Sequence, residues 1–138
     1  MPASLDTNCL LRWLLMDVPE QTLAIQRLID TGKPYQVFDQ AFIEMIFVLE
    51  KVQELSRPVI GQALQAIFAE PNIRCNRELF ELALQDYLHY QKLSFMDCYL
   101  AAKAQLTQNT PLLTFDKALA KKLPLQASLI PNDNLAYS

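Results

Sequence analysis

The chain has 138 residues, is 51% hydrophobic and 20% charged, and carries 12 Lys+Arg against 15 Asp+Glu for a formal charge of -3; that is the length of one domain, able to bury a core without a disulfide or metal staple. Its two glycines, Gly32 and Gly61, exclude a Walker loop or a G-x-G-x-x-G dinucleotide loop, which need closely spaced glycines so that backbone N–H groups can approach phosphate. A single histidine, His89, excludes an H-E-x-x-H zinc site and would have to carry any Ser-His-Asp or Cys-His hydrolase alone.

From the N-terminus, short apolar runs at 3–5, 35–38, 72–75, 112–114 and 128–130 read as strands, each too short for a core helix. Segments with helical periodicity lie between them, at 8–15, 20–30, 40–55, 58–69, 77–91 and 95–108, with a short helix running from 116 through Lys122. Gly32 and Pro34 stop the second helix, Pro58 opens the fourth and Pro71 closes it. Strands separated regularly by helices need crossovers, so the expected fold is α/β, with three α/β/α layers around a central, mostly parallel sheet of four to five strands. No linker or repeat interrupts this order, which gives a single domain over 1–138 with a loosely held tail at 131–138. Cys9, Cys75 and Cys98 are odd in number and far apart, so they form no C-x-x-C motif and read as reduced core residues. The N-terminus has no basic leader region, and no uncharged run approaches the roughly 18 residues of a membrane helix. The expectation is a soluble, cytoplasmic protein with no membrane partner.

Four acids share a position just after a strand or in the opening turns of a helix: Asp6, Glu44, Asp97 and Asp116. In a parallel sheet the ligand site lies outside the carboxyl ends of the strands, so acids from distant stretches can converge there. Each also has a purely structural reading. Asp6 and Asp116 are placed to cap the helices that follow them, and Ser94 with Asp97 forms an S-x-x-D capping-box pattern. Glu44 sits in an apolar stretch, yet on a helical wheel it joins Gln40 and Lys51 in what reads as a solvated stripe. Phe47 falls on the same face, and a plain surface stripe does not explain it.

Clustered carboxylates repel one another unless protons or cations sit between them. Oxygen-only ligands select hard divalent ions, Mg²⁺ or Mn²⁺, and such ions suit phosphoryl chemistry, where they activate water and stabilise a leaving oxygen.

The stretches SLDTNCLLRWLL at 4–15, AFIEMIFVLE at 41–50, SFMDCYLAAKA at 94–104 and LLTFDKAL at 112–119 occur in the order and spacing of a known family. The chain resembles the PIN-domain ribonucleases, and among them the VapC-type toxins of bacterial toxin–antitoxin pairs. That resemblance implies a PIN-like α/β/α domain and a Mg²⁺- or Mn²⁺-dependent endoribonuclease that leaves a 5′-phosphate and a 3′-hydroxyl. It further implies a homodimer, an RNA substrate and a cognate antitoxin. Carried over by position, Asp6, Glu44, Asp97 and Asp116 become the catalytic acids and metal ligands, with Asn8 and Thr114 as supporting polar residues or, alternatively, helix-end and strand-end caps. Many relatives carry a further acid soon after the fourth, whereas here Lys117-Ala118-Leu119 follows Asp116, which leaves one- and two-metal mechanisms both open.

Lys103, Lys117, Lys121 and Lys122 lie near the third and fourth acids in sequence and are candidates for phosphate contacts, or ordinary solvated lysines. Arg12 is left open between substrate, antitoxin and solvent, and His89 is given no catalytic role. Two other functions stay in view: a catalytically silent PIN-like module that binds RNA or protein, and a metal-dependent phosphatase or DNA nuclease on a similar sheet. No Asp-x-Asp pair stands at the first strand to support an aspartyl-phosphate.

Overall fold

In the computed structural model, which describes residues 2–131, five strands and seven helices follow one another in the order the apolar pattern predicts. They form two units, Met1–Arg77 and Glu78–Ser138. The expected loose tail, apart from Pro131, lies outside the described residues.

In the first unit, β1 (Ala3–Ser4), β2 (Tyr35–Gln36) and β3 (Ile73–Arg74) form a parallel sheet in sequential order, with Ala3 opposite Tyr35 and Tyr35 opposite Ile73. The ladder runs slightly past these strands, because Leu5 N–H donates to the Gln36 carbonyl at 2.9 Å and Val37 N–H to that of Arg74 at 2.8 Å. Each crossover is a helix pair, as parallel strands require: α1 (Thr7–Leu15) with α2 (Pro19–Asp30), then α3 (Asp39–Phe47) with α4 (Arg57–Phe68). Their periodic apolar faces supply a core that includes Leu10, Ile25, Phe42, Met45, Ile46, Ile60 and Leu64, and the Phe42 and Phe68 rings meet at 6.0 Å. Burying side chains of this size stabilises the unit by about 1.5–3 kcal/mol each.

The third helix departs from the continuous 40–55 segment expected from periodicity. After Phe47 the chain widens into a π-helical turn over Val48–Val52, in which Gln53 N–H reaches the Val48 carbonyl five residues back at 3.0 Å. The apolar spacing through Val52 and Leu55 reads as more helix, yet the wide turn leaves Val52 exposed and Glu54 enters the left-handed region at φ 54°. That is a backbone state a helix does not continue through.

In the second unit, β4 (Leu112–Thr114) and β5 (Ala127–Leu129) pair in parallel, with α7 (Lys117–Lys122) as their connection. The long helices α5 (Arg77–His89) and α6 (Phe95–Leu106) precede them. Phe80 packs on Phe95 at 6.0 Å and on Tyr99 at 5.6 Å, while the Tyr87 ring meets Phe95 edge-on at 5.4 Å. Such aromatic pairs contribute about 0.5–1.5 kcal/mol beyond the area they bury. The fold is therefore α/β with parallel strands, as predicted, but among the described residues the strands, only two or three residues long, pair as one three-stranded and one two-stranded sheet and not as a single sheet of four to five. Of the three cysteines only Cys98 is fully buried; Cys9, in the first turn of α1, and Cys75, just past β3, are half-buried. Among the described residues, no helix is long and apolar enough to cross a membrane.

Candidate active site

Because the three strands of the first unit are parallel, their carboxyl ends share one edge, and the segments leaving that edge carry the polar residues. Asp6 leaves β1 and caps α1: its Oδ1 accepts from the Cys9 backbone N–H at 2.9 Å. That N–H, and next the Cys9 thiol, hold the Asp6 carboxyl below its ordinary value against a weaker opposing effect of burial. Asp6 is thus an exposed acid kept ionised. Burial pushes the neighbouring Cys9 thiol up, with the Asp6 carboxylate adding to the effect, so the thiol stays protonated and acts as a donor.

Glu44 comes from the middle of α3 and is exposed, as are Gln40, Phe47 and Lys51 on the same helical face. The Thr7 hydroxyl reaches across from α1 and donates to Glu44 Oε2 at 3.3 Å. Asp6 and Glu44 line one open cleft of about 330 Å³ together with Ser4, Leu5, Thr7, Phe38, Gln40 and Ala41. A second cleft, of about 280 Å³, lies against α2 and includes Asp6, Asn8, Cys9, Arg12 and Gln21. Asn8 is exposed there, and Arg12 is ion-paired to Asp17 at 2.8 Å. Also at the sheet edge, Asn76 Nδ2 donates to Asp39 Oδ1 at 2.7 Å.

In the second unit the two acids each head a helix. Asp97 completes the capping box of α6: its backbone N–H donates to Ser94 Oγ at 3.1 Å, and its Oδ2 accepts from Ser94 N–H at 3.3 Å. Asp116 caps α7 by accepting from Leu119 N–H at 3.1 Å, while its own N–H donates to Thr114 Oγ1 at 2.9 Å. Thr114 thus takes the strand-end capping role that was one of its two readings. Lys117, Lys121 and Lys122 are exposed on the helix that Asp116 begins, whereas Lys103 donates to the Tyr99 hydroxyl at 3.2 Å. His89 ends α5 with its ring edge-on to Tyr90.

Capping does not disqualify a carboxylate as a ligand, since a cap bond uses one lone pair of one oxygen and leaves others. Among the described residues, no three His, Cys, Asp or Glu side chains of either unit gather into a group able to hold an ion by themselves. The Asp6–Glu44 cleft nonetheless suits a hard divalent ion. Its polar donors are all oxygens apart from the Gln40 amide nitrogen, and Mg²⁺ is commonly held by one or two carboxylates with water and phosphate completing its shell. Thr7 and Phe38 were not anticipated from sequence. Thr7 carried a signal, a hydroxyl next to the first acid in the opening turn of a helix; Phe38 carried none, because a phenylalanine at a strand end reads as core.

No curated protein matches the chain. The profile of the PIN domain, however, matches residues 3–123, from β1 through the residue that follows α7. That span takes in Asp6, Glu44, Asp97 and Asp116 with the strands and helices that present them, and on it the chain belongs to the PIN domain family, whose members are in general nucleases that use divalent metals.

Proposed function

We propose that the protein is a Mg²⁺- or Mn²⁺-dependent endoribonuclease, the toxin of a toxin–antitoxin pair, acting as a homodimer restrained by its antitoxin. The observation that carries the nuclease reading is the oxygen-rich cleft in a PIN domain where an exposed, ionised Asp6 and an exposed Glu44 stand together. Asp6, Glu44, Asp97 and Asp116 are assigned as the metal-binding and catalytic acids. When bound, the divalent ion neutralises phosphate charge and lowers the pKa of water for in-line attack.

The side chains divide the remaining work. Asp6 offers a carboxylate whose negative charge the Cys9 N–H and thiol maintain. Thr7, donating to one oxygen of Glu44, fixes the rotamer of a side chain that would otherwise sample solvent, leaving the other oxygen to orient a water or bind the ion. The Asp97 carboxylate accepts from Ser94 N–H and that of Asp116 from Leu119 N–H, so both are of restricted rotamer. The exposed lysines of α7 offer contacts to phosphates beyond the cut.

Purified protein incubated with structured RNA is expected to cut it with Mg²⁺ or Mn²⁺ and to stop with chelator. Asp6→Asn and Asp97→Asn should each lower the rate by at least about 10²-fold, the scale of losing one such group. Cleavage that survives chelation or both substitutions overturns the mechanism. Because caps account structurally for three of the four acids, a silent binding module is the second reading; absence of divalent-ion binding by calorimetry would favour it. The toxin role has its own test: induced expression should arrest growth, Asp6→Asn should relieve the arrest, and co-expression of a small charged protein from the neighbouring gene should do the same.

A further inference from the structure

Phe38 breaks two local rules at once. It occupies the N-cap of α3, where Ser, Thr, Asp or Asn normally supplies a side-chain acceptor, and it makes no side-chain cap bond. The residue is 57% exposed, although Val37 beside it is fully buried. The backbone there is pinned on both sides: Val37 N–H donates to the Arg74 carbonyl at 2.8 Å, and the Phe38 carbonyl accepts from Ala41 N–H at 3.0 Å and from Phe42 N–H at 3.3 Å. A large ring that neither caps nor packs, on a fixed backbone, is a departure from local consistency of the kind found at binding sites.

Phe38 lines the same cleft as Asp6, Thr7, Gln40 and Glu44. We propose that Phe38 makes this cleft a base-stacking subsite for one unstacked nucleotide, with its base on the Phe38 ring and its phosphate toward Asp6 and Glu44. This rests on the nuclease reading above. Each group in the cleft has a counterpart on a nucleotide: a π-face for the base, the donor and acceptor of the Gln40 amide for a base edge, and the Thr7 hydroxyl for the sugar. A stacked duplex base cannot offer its face to a phenyl ring, whereas a splayed one can.

The test is fluorescence anisotropy with the full chain and Ca²⁺, using a labelled unstructured oligoribonucleotide and its duplex, alongside cleavage with Mg²⁺. The wild type should bind the single strand more tightly than the duplex. Phe38→Leu should weaken single-strand binding roughly 5- to 150-fold, the range of one lost base–aromatic stack, with circular dichroism and calorimetric metal binding unchanged. Phe38→Tyr should restore affinity. Phe47→Leu, which alters an equally exposed phenyl outside the cleft lining, should stay within about two-fold of wild type. Wild-type affinity in Phe38→Leu, equal losses in both Leu variants, equal duplex binding, or a changed oligomeric state with unchanged RNA affinity would each overturn the subsite while leaving wild-type cleavage intact. No RNA binding and no cleavage by the wild type would instead bring down the nuclease reading, and the subsite with it.

Discussion

At the scale of single residues, Asp6 carries two functions that one substitution can separate. As the cap of α1 it satisfies the Cys9 N–H; as an ionised acid in the cleft it is proposed as a metal ligand. Asparagine caps about as well as aspartate but carries no charge, so Asp6→Asn should change stability by less than about 0.5 kcal/mol while abolishing metal-dependent cleavage. Asp6→Ala loses both and should lower stability by about 1 kcal/mol in denaturant titration. The opposite kind of acid is Asp86 on α5, whose carboxyl is pushed up by burial, with nearby His89 pulling it down less strongly. An acid whose folded pKa lies above its unfolded one favours folding while protonated, and that contribution is lost as pH rises from the ordinary aspartate value through the folded pKa. Asp86→Asn should therefore raise Tm at neutral pH and lose that advantage in acid, by no more than about 0.5 kcal/mol for a group still largely hydrated. Residue identity made Asp6 legible, since a charge ending an apolar run has few explanations. Asp86 was not legible, because its peculiarity is the burial of one helix face, which identity does not encode.

Elements were legible where one local cause decides them. All five strands and the caps at Asp6, Ser94 and Asp116 follow from short apolar runs punctuated by capping residues, and the structure has them within a residue or two. The π-helical turn at Val48–Val52 was not, because periodicity distinguishes helix from strand but not a turn with one extra residue. The capping box of α6 leads to an element-scale expectation. Ser94→Ala removes the acceptor for Asp97 N–H and should destabilise the protein by about 1 kcal/mol. It also removes the hydroxyl opposite the Asp97 backbone, so kcat should fall more than KM rises if Asp97 acts in the transition state. Ser94→Thr, which keeps the acceptor, should restore both; a stability loss with unchanged kcat would mean that the Ser94 hydroxyl does not position Asp97 for catalysis.

Across the whole molecule, the formal charge of -3 at first sight opposes an RNA partner. Setting aside Asp6, Glu44, Asp97 and Asp116 leaves 11 acids beside 12 bases, so the acidity is concentrated in the residues proposed to bind metal. The PIN match spans those four acids, but neither spacing nor capping chemistry encodes which of them meet: Asp6 and Glu44 share a cleft, while Asp97 and Asp116 each head a helix of the second unit. Charge gives an expectation that depends on the acids jointly. Without divalent ions the carboxylates repel phosphate, and with ions bound the same groups become the anchor for a site that attracts it. RNA affinity of the wild type should rise at least about tenfold on adding Mg²⁺ at constant ionic strength, a change of about 1.4 kcal/mol. The double variant Asp6→Asn, Glu44→Gln should bind RNA in chelator at least as tightly as the wild type, having lost two negative charges, and should gain nothing from Mg²⁺. Its log affinity should still fall with log salt at close to the wild-type slope, because the lysines proposed to contact phosphates are untouched. Metal-independent affinity in the wild type would mean that the acids do not face the phosphates, and would separate RNA binding from the proposed centre altogether.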